Sequence, residues 1–253
     1  MDKFGGIIVN ILIPMAGLGS RFSERGYSLP KPLINVSDTE TIIDISLGCF
    51  YNKDFNYIFI VRKEHCEEYN IDKKLKNIVP KCNIIEIDYL TDGQACSALL
   101  GEQYFDNDDP LFIANSDNYF NWDFTRFITS MKESTVDASV VTIEDDTKNT
   151  AWSYAKIDEE GFITETAEKK PISNHALVGC FYWKIGSDFV KYTNQMIDKD
   201  IRTNNEFYIA PVYNEAIKDN KKCVIYNIEG FKPLGTPEEL DDFLKWRLQN
   251  EAT

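Results

Sequence analysis

An apolar run, Ile7 to Pro14, opens without interruption into Met15-Ala16-Gly17-Leu18-Gly19-Ser20, and this junction constrains the fold more than any other stretch. A short continuous apolar run reads as a strand buried on both faces, the kind found in a parallel sheet covered by helices. The glycines that follow let the backbone approach a ligand closely and offer it bare N–H groups, which makes an anion cradle. Arg21 follows at once and Lys31 ten residues later, so two cations stand beside the turn and can spread the charge of a polyphosphate. The turn is not a dinucleotide fingerprint, because Phe22 stands where the third glycine would be.

Downstream, the pattern alternates. A helix is expected over Thr39–Phe50, a buried strand over Tyr57–Val61, a helix over Glu64–Ile78 and a strand over Asn83–Ile87. Pro110–Ala114 reads as the next central strand, Asp123–Glu133 as a helix and Asp137–Ile143 as another strand. Strands alternating with helices imply an α/β fold, a Rossmann-like mixed and mostly parallel sheet flanked by helices, with its ligand at the carboxyl ends of the strands. The 253 residues fit one domain. Residues 1–145 would form its nucleotide-binding half and 146–253, where short strands and turns replace the alternation, its acceptor-binding half.

Charge and composition narrow the partners. With 41 acids against 27 bases and a net charge of -14, the chain lacks the broad basic face that a nucleic-acid polymer requires. A monomeric nucleotide is the expected ligand. Cysteines 49, 66, 82, 96, 180 and 223 show no metal-ligand spacing and read as reduced, packing thiols of a cytoplasmic protein. The run Ile7–Met15 lacks the basic flank of a signal peptide, and no run is long enough to span a membrane. Oligomeric state, a homo-oligomer included, is left open.

The strand, the Gly-x-Gly turn, Arg21 and Pro30-Lys31-Pro32 together resemble the signature of the sugar-phosphate nucleotidylyltransferases, and the likeness runs over nearly the whole chain. The resemblance implies a glycosyltransferase-A-type fold and a reaction of Mg²⁺-bound nucleoside triphosphate with a small phosphorylated acceptor. It assigns catalytic roles to Arg21 and Lys31, and nucleotide binding to Met15, Ala16, Gly17, Leu18, Gly19 and Ser20. Leu90–Leu100 stands where the family contacts base and ribose, which makes Gln94 and Ser97 candidates there; a Gln side chain both donates and accepts. Asn115-Ser116-Asp117-Asn118, at the end of a central strand, is similar to the family's G-D-N, so Asp117 is the expected Mg²⁺ ligand.

In the second half, Glu168-Lys169-Lys170-Pro171 resembles the E-K-P motif whose lysine holds the acceptor phosphate, with Lys169 favoured over Lys170. Gly179, inside the strand Leu177–Trp183, marks a close approach by backbone or ligand. Glu206, before a helix at Ala210–Lys218, stands at the family's acceptor-site glutamate. Ala155 replaces a glycine near the family's sugar, which counts against a hexose acceptor. Pro233 replaces the aspartate that serves as second metal ligand. Asp117 and the triphosphate then hold the metal with water, or another acid substitutes, or Lys232 neutralises phosphate charge directly. A last helix is expected over Pro237–Gln249. The wording of residues 168–183 and 204–215 is most similar to nucleotidylyltransferases of bacterial capsule loci, a likeness that implies CTP as nucleotide and phosphoglutamine as acceptor. The competing readings are a uridylyl-, thymidylyl- or guanylyltransferase acting on sugar 1-phosphates and a non-catalytic nucleotide-binding protein.

Overall fold

β1 (Asn10–Pro14) lies in the interior of the sheet, because it is apolar on both sides. Ile11 and Ile13 pack with Tyr57, Phe59 and Val61 on one face, while Leu12 packs with Ile58 and Ile60 on the other. The computed structural model describes residues 8–250, so Ile7, the expected first residue of this strand, lies outside the described residues. In chain order there follow α1 (Ser20–Ser23), α2 (Ile42–Gly48), β2 (Asn56–Arg62), α3 (Lys63–Tyr69), α4 (Ile71–Ile78), β3 (Cys82–Ile87) and α5 (Gln94–Leu99). Next come β4 (Leu111–Ala114), β5 (Asn118–Phe120), α6 (Phe124–Glu133), β6 (Ala138–Glu144), β7 (Ser153–Ile157), β8 (Ile163–Ala167) and β9 (His175–Trp183). The chain then runs through α7 (Gly186–Asp198), α8 (Val212–Lys218), β10 (Cys223–Asn227), β11 (Phe231–Pro233) and α9 (Pro237–Asn250).

The main sheet runs β10-β6-β9-β4-β1-β2-β3, with β7 and β8 attached beside β9. Every strand on that path except β9 points the same way. This is the mixed, mostly parallel sheet flanked by helices that the alternation implied. Because Asn10 pairs with Leu111 and Leu12 with Ile113, β1 and β4 end together. The glycine turn and Asn115-Ser116-Asp117 therefore emerge side by side, at the carboxyl edge where open α/β sheets bind ligands.

Capping chemistry fixes the helix starts near this edge. Thr41 and Asp44 form a reciprocal capping box on α2, with Thr41 N–H donating to Asp44 Oδ2 at 2.7 Å. Asp123 accepts from Arg126 N–H at 2.9 Å and starts α6.

Two expectations need correction. The single helix expected over Glu64–Ile78 is two, α3 and α4, broken at Asn70 in the left-handed conformation (φ 54°). Asn tolerates that conformation better than other residues with a Cβ. The second half also does not abandon the strand–helix alternation: α7 and α8 follow β9, and β10 then pairs parallel with β6. Among the described residues no helix is long and apolar enough to cross a membrane.

Candidate active site

Three adjoining cavities line the carboxyl edge, and Gln94 borders all of them. The first, of 210 Å³, gathers Met15, Gly17, Gly19, Lys31, Gln94 and Asp117. Gly19 sits at φ 64°, and a Cβ there would come within 3.3 Å of Lys31 Cβ, so this glycine both turns the chain and lets the lysine close in. Lys31 is held in a short 3₁₀ turn between two prolines, and its Nζ donates to Asp117 Oδ2 at 2.7 Å. Residues 86 positions apart thus form one ion pair, with Asp117 only 17% exposed.

The glycine turn also borders a 380 Å³ cavity walled by Ala16, Leu18, Ser20, Leu90, Gln94 and Ser97. Leu18 and Leu90 are about 60% and 59% exposed, and Tyr89 nearby is 53% exposed. Three exposed apolar side chains around one opening suit the flat faces of a nucleobase. The Ser97 and Thr91 hydroxyls share a 2.6 Å hydrogen bond. Glu206, expected at the acceptor, also borders this cavity. A backbone clasp explains its position: Phe207 N–H donates to Asp92 C=O at 2.8 Å and Ala95 N–H to Phe207 C=O at 2.9 Å. Gly93 fits there because a Cβ would lie 2.5 Å from the Phe207 backbone.

The third cavity, of 310 Å³, lies toward the second half of the chain and includes Arg21, Asn115, Asp117, Glu168, Gly179 and Tyr208. Gly179 (φ 74°) makes room for Asn115, whose Nδ2 would sit 2.1 Å from a Cβ at 179. Asn115 Oδ1 in turn accepts from Gln94 Nε2 at 2.7 Å. The close approach expected at Gly179 is therefore made by a side chain. Lys169, in the left-handed conformation at φ 56°, donates from Nζ to Tyr208 Oη at 2.6 Å. The Tyr208 hydrogen bond holds the Lys169 ammonium above its ordinary range against the effect of burial, aided by Glu168 and Glu206. Lys170 is exposed. Burial pushes the Glu168 carboxyl up, partly offset by the hydrogen bond from Ser153 and the charge of Lys169.

Ala155 requires correction. It is fully buried in the core beneath β7, while the cavity takes Trp152 and Ser153 from that segment. Its methyl group therefore says nothing about which acceptor fits. Lys232 lies over the Trp246 ring, 5.5 Å from its centroid, and is not among the cavity residues.

Asn115, Tyr208 and Glu239 are site residues that sequence reasoning missed. Asn115 had a local signal, a polar residue directly after an apolar central strand. Tyr208 and Glu239 had none, since only the fold brings them to Asp117 and Gly179. Burial and the Asp117 charge push the Glu239 carboxyl up, while Gly235 N–H and Thr236 act the other way.

Comparison with known proteins agrees with this geometry. A structure of a nucleoside-diphosphate-sugar pyrophosphorylase from Vibrio cholerae RC9 superposes with a TM-score of 0.80 at 26% identity, covering 93% of this chain and 99% of that one. The inositol-1-phosphate CTP transferase of T. maritima gives 0.74 at 13% identity over 96% of each chain. A UDP-glucose pyrophosphorylase complexed with UDP-glucose gives 0.76 at 17% identity, over 96% of this chain and all of that one. No curated protein sequence matches the chain. The model of the nucleotidyl transferase family matches residues 11–245, and the chain belongs to that family.

Proposed function

We propose that the protein transfers a nucleoside monophosphate from Mg²⁺-bound CTP to a small phosphate monoester, with phosphoglutamine as the acceptor and capsule or surface-polysaccharide synthesis as the setting. The observation that carries the transfer reaction is the Lys31–Asp117 pair at the floor of a glycine-lined cavity. A cation and a carboxylate paired beside the glycine turn support the reading of a triphosphate bound there with its α-phosphate near Lys31. The choice of CTP and phosphoglutamine is supported by the wording of residues 168–183 and 204–215. The sugar 1-phosphate alternative is supported by the likeness to the Vibrio cholerae enzyme.

An acceptor phosphate is already anionic at neutral pH, so the protein need supply no nucleophile. One of its oxygens attacks the α-phosphorus, the bond to the bridging oxygen breaks, and pyrophosphate leaves with the electron pair. Lys31 neutralises charge at the α-phosphoryl group, Arg21, exposed at the third cavity, would bridge the leaving pyrophosphate, and Lys169 with Tyr208 orients the acceptor. The donor set fits a hard divalent cation: Asp117 would hold Mg²⁺, which supplies charge neutralisation along the triphosphate.

Purified protein with Mg²⁺, each of five NTPs and a panel of phosphate monoesters should release pyrophosphate with CTP and phosphoglutamine. Release only with a sugar 1-phosphate would transfer the assignment to the sugar nucleotide reading, and release with no pair would overturn the enzyme reading. Lys31→Ala should lower kcat/KM by roughly 10²–10³, while thermal unfolding shows the fold retained.

A further inference from the structure

The geometry points to Glu239 as the second carboxylate of the divalent-cation site, taking over from the strand position that Pro233 occupies. This inference rests on the Mg²⁺-dependent transfer proposed above. Pro233 has no side-chain donor, yet it stands directly beside the metal candidate. β11 pairs with β5 so that Pro233 faces Asn118, and Leu234 N–H donates to Asp117 C=O at 2.8 Å. An acid in that strand position would reach the cation directly. In this chain the strand brings none.

Six residues later the chain returns to the same point. Glu239, in the first turn of α9, borders the cavity that also contains Asp117, Pro233 and Gly235. The space between the two carboxylates is measured by Gly235. A methyl group there would lie 3.0 Å from Asp117 Oδ2 and 3.3 Å from Glu239 Oε2. One small volume, kept empty by a glycine, is thus bordered by one oxygen from each acid. Lys31 reaches Asp117 Oδ2 at 2.7 Å and leaves the pair with a net negative charge. Among the described residues no group of three or more metal-ligating side chains occurs, so a cation here draws the rest of its shell from phosphate and water oxygens, as Mg²⁺ in nucleotide sites does.

Glu239 also has a structural task. Its Oε2 accepts from Gly235 N–H at 2.9 Å, and its own N–H donates to Thr236 Oγ1 at 3.2 Å, a cap on α9. Capping needs an acceptor oxygen, and cation binding needs a charge. Glu239→Gln separates the two, since the amide oxygen still accepts from Gly235.

The test follows Mn²⁺, as a probe for Mg²⁺, by electron paramagnetic resonance. Full-length protein is titrated with α,β-methylene CTP present, and with the corresponding analogues of the other nucleotides. Glu239→Gln is expected to weaken Mn²⁺ binding by about tenfold or more, with Tm within about 2 °C of wild type. Pro233→Asp in the Glu239→Gln background is expected to restore binding. Equal affinity in wild type and Glu239→Gln, or a loss that Pro233→Asp leaves unrepaired, overturns the inference. No Mn²⁺ binding by the wild type with any analogue overturns the metal-dependent reading beneath it, and the inference falls with that.

Discussion

Gly179 carries the Asn115 side chain against its bare Cα, and its carbonyl accepts from Asn115 N–H at 2.9 Å. Its φ of 74° and the 2.1 Å that a Cβ would leave to Asn115 Nδ2 act together. Gly179→Ala should therefore destabilise the protein by about 1–3 kcal/mol, measured by urea unfolding. Pairing it with Asn115→Ala should recover the steric part of that loss and leave the backbone strain. The same residues show what the sequence made legible. Gly17, Gly19 and Lys31 lie within fifteen positions of one another, so spacing alone implied their meeting, and Asp117 was marked by its place after an apolar strand. Tyr208 and Glu239 reach the site through tertiary packing, which no local pattern encodes. Ala155 was misread because depth along the strand is not written in the sequence: it shares a face with Ser153, but two residues further on that face is already covered by the core.

Between β6 and β7, the segment 145–152 is organised by one buried carboxylate. Asp145 accepts from Thr147 N–H at 3.0 Å, Thr147 Oγ1 at 2.6 Å, Asn149 N–H at 3.2 Å and Tyr154 Oη at 2.5 Å. Burial alone would raise its pKa, but these donors outweigh it and bring the carboxyl to about 2. A carboxyl depressed in the folded state stabilises the protein above its unfolded value of about 3.9, and that contribution is lost as pH falls through the folded value. Asp145→Asn should accordingly lower stability at pH 7 by about 2 kcal/mol, and the gap to wild type should shrink as pH falls from about 4 toward 2. Because the segment leads into Trp152 and Ser153, the same variant should raise the acceptor KM more than the nucleotide KM. Other elements were hidden for a physical reason. α7 begins with Gly186-Ser187, which reads as a turn, and carries Tyr192, Thr193 and Asn194 in mid-helix, all poor helix formers. Packing of Phe189, Val190 and Met196 against the core overrides that preference.

Across the whole molecule, the expected nucleotide and acceptor halves are not separate structural units. β9, from the acceptor half, lies between β4 and β6 and pairs with both. A fragment of residues 1–145 should then fail to fold alone, giving a circular dichroism spectrum and proteolysis pattern unlike the native ones, and co-expression with 146–253 should restore solubility. The parallel half of the sheet was legible because buried parallel strands are continuous apolar runs. The antiparallel insertion was not, because an apolar run such as Leu177–Trp183 carries no mark of direction. The place of β9 also sets a schedule for biosynthesis. As the chain leaves the ribosome, β4 and β6 are complete well before the strand that separates them, and each presents a bare hydrogen-bonding edge until Trp183 has emerged. During that interval the nascent protein is most open to mispairing and to capture by chaperones.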